Sequence, residues 1–206
     1  MCAMSQSTEP SSLLYSQSTS LAMRTTIQGL RMKFPSVKNV TTVTLQNWID
    51  GGPTVPDSGA SAESSRKENT KKLIIIDTRP ELEYSVSHIA ESINVNFETE
   101  DMDRVKKLML QDINYDSPDD SPGVRVVLYC SVGYRSSVLA DKLQQATKPD
   151  PAYKHWHFFN LEGSLFKWAN ENRPMVDQQG LPTDKIHPFN SLWGKLVDKH
   201  RWKSTP

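Results

Sequence analysis

The sequence predicts an α/β fold: a mainly parallel sheet flanked by helices, with a flexible N-terminal segment and a C-terminal helical extension. Three observations carry this reading. Strand-type apolar runs alternate with stretches of helical spacing from Val40 to Asn170. Two of the runs, residues 72–76 (KLIII) and 124–129 (VRVVLY), are strong strands, and the first is continuous enough in apolar residues to be buried on both faces, as inner strands of a parallel sheet are. The low hydrophobic fraction, 36% against about 45% for globular domains, is concentrated in residues 1–35 and 51–72, which are rich in hydroxyl, charged and small side chains. Neither segment holds enough apolar surface to offset the entropy of ordering, so both are expected to be disordered.

The elements follow in order. Residues 40–43 predict a short strand, and residues 44–51 a helical turn closed by Gly51. Residues 72–76 form the first strong strand, which ends in Asp77-Thr78-Arg79. Residues 80–84 suit a short helix, 93–95 a short strand, and 99–110 a helix with Val105, Leu108 and Met109 on its inner side. The second strong strand runs into Cys130, and residues 136–145 continue as a helix. Residues 157–160 and 164–170 give a last strand and helix, and residues 187–197 a further short helix with Leu192, Trp193, Leu196 and Val197 as its apolar patch. That patch is expected to pack on the chain's own domain, with partner binding as the competing reading.

Composition excludes several classes of function. Twenty-four basic residues balance twenty-four acidic ones, so no global field argues for nucleic acid or a membrane surface. Cys2 and Cys130 cannot build a disulfide framework, no CxxC pair is present, and the histidines His155, His157, His187 and His200 lack metal-ligand spacing; neither metal nor cofactor is expected. A cytoplasmic location fits best, with a mitochondrial address as the alternative, because residues 1–35 hold one acidic residue, Glu9, beside Arg24, Arg31 and Lys33.

The richest stretch is Cys130-Ser131-Val132-Gly133-Tyr134-Arg135-Ser136. A strand that delivers a cysteine into a glycine-containing turn before a helix aims backbone N–H groups and the positive helix end at the sulfur. Arg135 adds a permanent charge, Ser136 is placed to cap the helix and donate toward the sulfur, and the thiol should ionise readily. A buried, inert cysteine is the competing reading. In an open parallel sheet the ligand crevice lies at the carboxyl ends of the strands, so Asp77 and Arg79 are candidate rim residues, or else a structural ion pair.

These residues also carry a family resemblance. Asp77-Thr78-Arg79-Pro80-Glu81-Leu82-Glu83-Tyr84 followed by Ser87-His88-Ile89-Ala90-Glu91-Ser92-Ile93-Asn94 resembles the pattern DxRxxxEYxxGHIxGAxN of rhodanese domains. The cysteine loop is similar to the family's active-site loop, and Asn160-Leu161-Glu162-Gly163-Ser164 with Trp168 and Pro174 to its closing LxGGxxxWxxxGxP element. Together these motifs span about residues 38–177, and the domain is placed at 36–177 with 178–206 as an extension packed on it. The resemblance implies a five-stranded parallel sheet and a Cys130 that carries sulfur as a persulfide. Ser87, Glu91, Ser92 and Ser164 depart from the pattern, where local adjustment is expected; His88 is expected to be structural.

Four residues separate Cys130 from Arg135. Cysteine phosphatases have one more, which lengthens the loop by roughly 3.5 Å of reach and lets it enclose a phosphoryl group. The shorter loop points to the sulfurtransferase branch: Cys130 as nucleophile, the N–H groups of residues 131–136 as the cradle, Arg135 attracting an anionic donor. Partners are then small sulfur donors such as thiosulfate or a persulfide and acceptors such as cyanide, glutathione or a protein thiol. A non-catalytic binding module and a cysteine phosphatase are the alternatives.

Overall fold

The computed structural model describes residues 19–51, 72–111 and 123–203. Residues 1–18 and 52–71, most of the two segments expected to be disordered, lie outside the described residues.

The chain enters through helix α1, Leu21–Lys33, whose first turn is capped by the Ser20 hydroxyl accepting the Met23 N–H at 3.2 Å. This corrects the expectation of disorder for that part of residues 1–35. Met23 is only 1% exposed and sits in the main apolar cluster with Ile27 against its edge, while Arg31 pairs with Glu162. Composition averaged over the segment hides three apolar side chains at helical spacing, Met23, Ile27 and Leu30; helices of this length are stabilised chiefly by the surface they pack on.

Strand β1, Lys38–Val40, is followed at once by helix α2, Thr42–Ile49. The helix begins earlier than its apolar spacing suggests because the Thr41 side chain accepts the Thr44 N–H at 3.1 Å, converting a β-prone Thr-Thr-Val run into a capped helix start. Next come β2 (Lys72–Asp77), α3 (Glu81–Val86), β3 (Ile93–Asn94), α4 (Met102–Leu110), β4 (Val124–Tyr129), α5 (Tyr134–Thr147), β5 (Trp156–Leu161) and α6 (Ser164–Asn170). The five strands form one sheet in the order β1-β5-β4-β2-β3, and every pairing is parallel.

Alternation along the strands feeds two cores. Ile75, Val127 and Tyr129 face one cluster, shared with α1, α2 and α6; Ile74, Ile76, Val126 and Leu128 face the other, shared with α4 and α5. The register sets Asp77 beside Tyr129 and Leu128 beside Asn160, so Cys130, Thr78 and Asn160 emerge together at the carboxyl edge of the three central strands.

After α6 the chain crosses back over that edge. Ile186 (fully buried) and Val197 (4% exposed) belong to the main core, and between them the chain makes a single 3-10 turn, Trp193–Leu196, in place of the expected helix. Leu192 is exposed while Trp193 and Leu196 pack on the core, so the four-residue apolar patch does not exist as one face. Among the described residues, no helix is long and apolar enough to cross a membrane.

Candidate active site

Cys130 is the first residue after β4 and is 1% exposed. Its backbone is held from α6: the Cys130 N–H donates to the Ser164 hydroxyl at 3.2 Å, and its carbonyl accepts the Leu165 N–H at 3.0 Å. Ser164 stands where the family pattern has a second glycine. It accepts the left-handed backbone that position needs, with φ +49°, and its hydroxyl donates to the Leu161 carbonyl. The polar side chain absent from glycine thus ties the cysteine turn to the start of α6.

The turn itself is made by Gly133, with φ +118°, a conformation costly for any residue with a Cβ. Its N–H donates to Cys130 Sγ at 3.1 Å. Gly133 also serves as the N-cap of α5, so the helix begins two residues earlier than expected and Ser136 is not its cap. Ser136 lies inside the first turn, with its hydroxyl 2.7 Å from Asn160 Oδ1 and 3.6 Å from Cys130 Sγ. Asn160 is fixed in turn by its Nδ2 donating to Asn39 Oδ1. Burial by itself pushes the Cys130 thiol up; the Arg135 charge, the N–H and O–H groups of Ser136 and the Gly133 N–H outweigh it and leave the thiol below its ordinary value.

Arg135 differs from its expected role. Its guanidinium is held in a two-point pair by Glu83 of α3, at 2.7 and 2.8 Å, and also donates to the Ser131 hydroxyl. Ser131 completes the ring by donating to Glu83 at 3.1 Å. Burial would raise the Glu83 carboxyl, but its bonds and charge contact with Arg135 hold it below the ordinary carboxylate value. Arg135 is thus paired with Glu83 rather than standing as an open cation, while its charge still favours the Cys130 thiolate.

Asp77 and Arg79 are both fully buried and paired with each other, and Arg79 also donates to the Ser87 carbonyl. They brace the turn after β2 and do not line the cavity at the cysteine. His88 stacks on Tyr84 with ring centres 3.8 Å apart and exchanges backbone hydrogen bonds with Val176, a structural placement.

A cavity of about 220 Å³ opens over the sulfur, lined by Cys130, Ser131, Val132, Tyr134 and Arg135 from the loop and by Phe189 and Trp193 from the C-terminal extension. The Phe189 ring lies 4.7 Å from the Arg135 guanidinium carbon. Sequence reasoning reached the loop but missed Glu83, Asn160, Ser164 and this aromatic wall. A larger hollow of about 360 Å³, among Lys38, Lys148 and Lys154, opens at the amino ends of β1 and β5, away from Cys130.

The profile of the rhodanese-like domain matches residues 61–171, more than half of the chain. The protein belongs to the rhodanese-like domain family. Solved structures similar to this rhodanese-like chain include a yeast protein tyrosine phosphatase of the rhodanese family, 17% identical, covering 64% of this chain and 83% of the other at a TM-score of 0.48. They also include a thiosulfate sulfurtransferase from Pseudomonas aeruginosa, 14% identical, covering 77% of this chain and 23% of the other at a TM-score of 0.46. A rhodanese-like domain from Anabaena is 14% identical, covering 68% of this chain and 78% of the other at a TM-score of 0.43. Comparison with curated proteins gives no match.

Proposed function

We propose that this rhodanese-like protein transfers sulfane sulfur through a persulfide on Cys130. The observation that carries the reading is the sulfur itself: a thiol below its ordinary value, at the floor of a cavity, facing the N–H of Gly133 at the start of α5. In the first step the Cys130 thiolate attacks the outer sulfur of a donor R–S–SH. The new bond is between the Cys130 sulfur and that outer sulfur, the donor's S–S bond breaks, and R–S⁻ leaves with the electron pair. In the second step an acceptor thiolate takes the outer sulfur and Cys130 returns as thiolate. The loop N–H groups that favour the thiolate also favour an anionic persulfide on the same residue. The four-residue spacing to Arg135 supports enclosure of one sulfur atom rather than a phosphoryl group.

Intact-mass measurement after treatment with a sulfane donor tests this. Both proteins carry Cys2→Ser, which leaves Cys130 as the single thiol: the otherwise wild-type chain should gain one sulfur atom, labile to cyanide or a thiol, and Cys130→Ser should gain none. Absence of the adduct in the wild type, or its persistence in Cys130→Ser, would overturn the reading, and phosphate release from an aryl phosphate with no sulfur adduct would replace it with a phosphatase.

A further inference from the structure

The cavity over Cys130 has an inner half made by the loop and an outer half made by the extension. The outer half is a spanned segment, not a loose tail. Ile186 and Val197 are buried at its two ends, and the Asn190 side chain accepts the backbone N–H groups of both Leu192 and Trp193, fixing the backbone that carries the indole. Gly194 lies against Trp202 and Pro188 so closely that a Cβ there would fall 2.8 Å from the Trp202 ring. Phe189 holds φ +62°, a strained value for a residue with a side chain, and its N–H donates to His187 Nδ1 at 3.1 Å. Strain in a residue whose ring covers Arg135 is a cost that the surrounding packing must maintain.

Charge narrows what enters. Arg135 is balanced by Glu83, and the Ser131 hydroxyl is used within the same network. Within the loop the positive end of α5, equivalent to about half a charge, already faces the Cys130 thiolate, and Lys33 lies outside the Tyr134 wall with its Nζ 4.8 Å from that ring's centre. A dianion such as thiosulfate would meet the Cys130 thiolate beneath an aromatic wall, with Arg135 already paired to Glu83. The volume, about 220 Å³, equals roughly seven waters at about 30 Å³ each, room for a group of about benzyl size.

We propose that the C-terminal extension sets the donor class of this site: Phe189 and Trp193 select a small sulfane-sulfur compound of low charge that carries an apolar group, in preference to thiosulfate. The inference rests on the persulfide reading above. Loading follows the same balance, since a thiosulfonate R–SO₂–S⁻ gives its outer sulfur to the Cys130 thiolate and leaves as the sulfinate R–SO₂⁻.

The test measures the rate of sulfur loading onto Cys130 in the full chain carrying Cys2→Ser, by quenched intact mass, with thiosulfate, methanethiosulfonate and benzenethiosulfonate. Each rate is normalised to that of free cysteine with the same donor. The two thiosulfonates share charge and reacting group and differ only in the apolar substituent. Benzenethiosulfonate should exceed methanethiosulfonate by about tenfold and thiosulfate by more. Phe189→Ala should bring the benzene-to-methane ratio toward one, and Trp193→Ala should do the same; the half-exposed Phe189 can be replaced without opening the core. A ratio near one in the wild type, a ratio unchanged in both variants, or thiosulfate as the fastest donor would overturn the inference while leaving the persulfide intact. Failure of all three donors to load Cys130 would overturn the underlying function as well.

Discussion

Replacing Gly133 by Ala perturbs the sulfur and the fold through a single methyl group. At φ +118° the backbone strain is about 1–3 kcal/mol. The new Cβ would also lie 3.1 Å from Leu30 Cδ1 and 3.3 Å from Asn160 Nδ2; the leucine can yield, the anchored asparagine much less. A net destabilisation of about 2 kcal/mol should lower Tm by about 4–8 °C for a domain of this size. Relief of the strain swings the Gly133 N–H away from Cys130 Sγ, and a hydrogen bond to a charged group is worth about 1.5–3 kcal/mol. Each 1.4 kcal/mol lowers the thiolate population about tenfold at a pH below the thiol's own value. A more basic thiolate is intrinsically more nucleophilic and recovers about half of that exponent. In a chain carrying Cys2→Ser, the alkylation rate of Cys130 with iodoacetamide at mildly acidic pH should therefore fall about threefold to tenfold, and the midpoint of its pH profile should rise from its wild-type position below the ordinary thiol range. Urea unfolding supplies the stability. An unchanged pH profile in a folded Gly133→Ala protein would refute the assignment of that N–H to the sulfur.

Glu83→Ala should destabilise by about 3–5 kcal/mol, because it leaves Arg135 buried without its counter-charge. Since the folded Glu83 carboxyl is held below its ordinary value, its contribution is fully present above the unfolded carboxylate range and is lost as pH falls through the folded value; the gap between wild type and variant, followed by urea unfolding, should close in acid and not in base. Met23→Ala should cost about 2–5 kcal/mol in the same assay although it lies outside the family match, and a cost near zero would show that α1 is not part of the folded unit.

The sheet and the cysteine loop were legible because their signals are local. The apolar runs at residues 72–76 and 124–129 need no partner to be recognised, and a cysteine, a glycine and an arginine within one turn define a chemistry by proximity alone. What the sequence concealed is non-local. Glu83 looks like any acidic residue in a short helix, and it reaches Arg135, 52 positions away, only because β2 and β4 are neighbours in register. Asn160 and Ser164 are small polar residues whose partners come from β1 and the cysteine turn. Helix α1 was hidden by the hydroxyl-rich sequence around it, and Phe189 by an extension whose apolar residues suggested a helix rather than a wall.

Leu30 of α1 touches the place where Gly133 turns, and Phe189 covers the guanidinium two residues later, so segments from either side of the family match meet at a single loop. The stretch over which family similarity is detectable, residues 61–171, contains the nucleophile but neither of these contacts, nor the strand β1 that completes the sheet. The surroundings of this cysteine are consequently made by segments outside the family match as much as by its motif: trimming the protein to residues 61–171 would keep the loop from Cys130 to Ser136 and strip Leu30, Phe189 and β1 from around it.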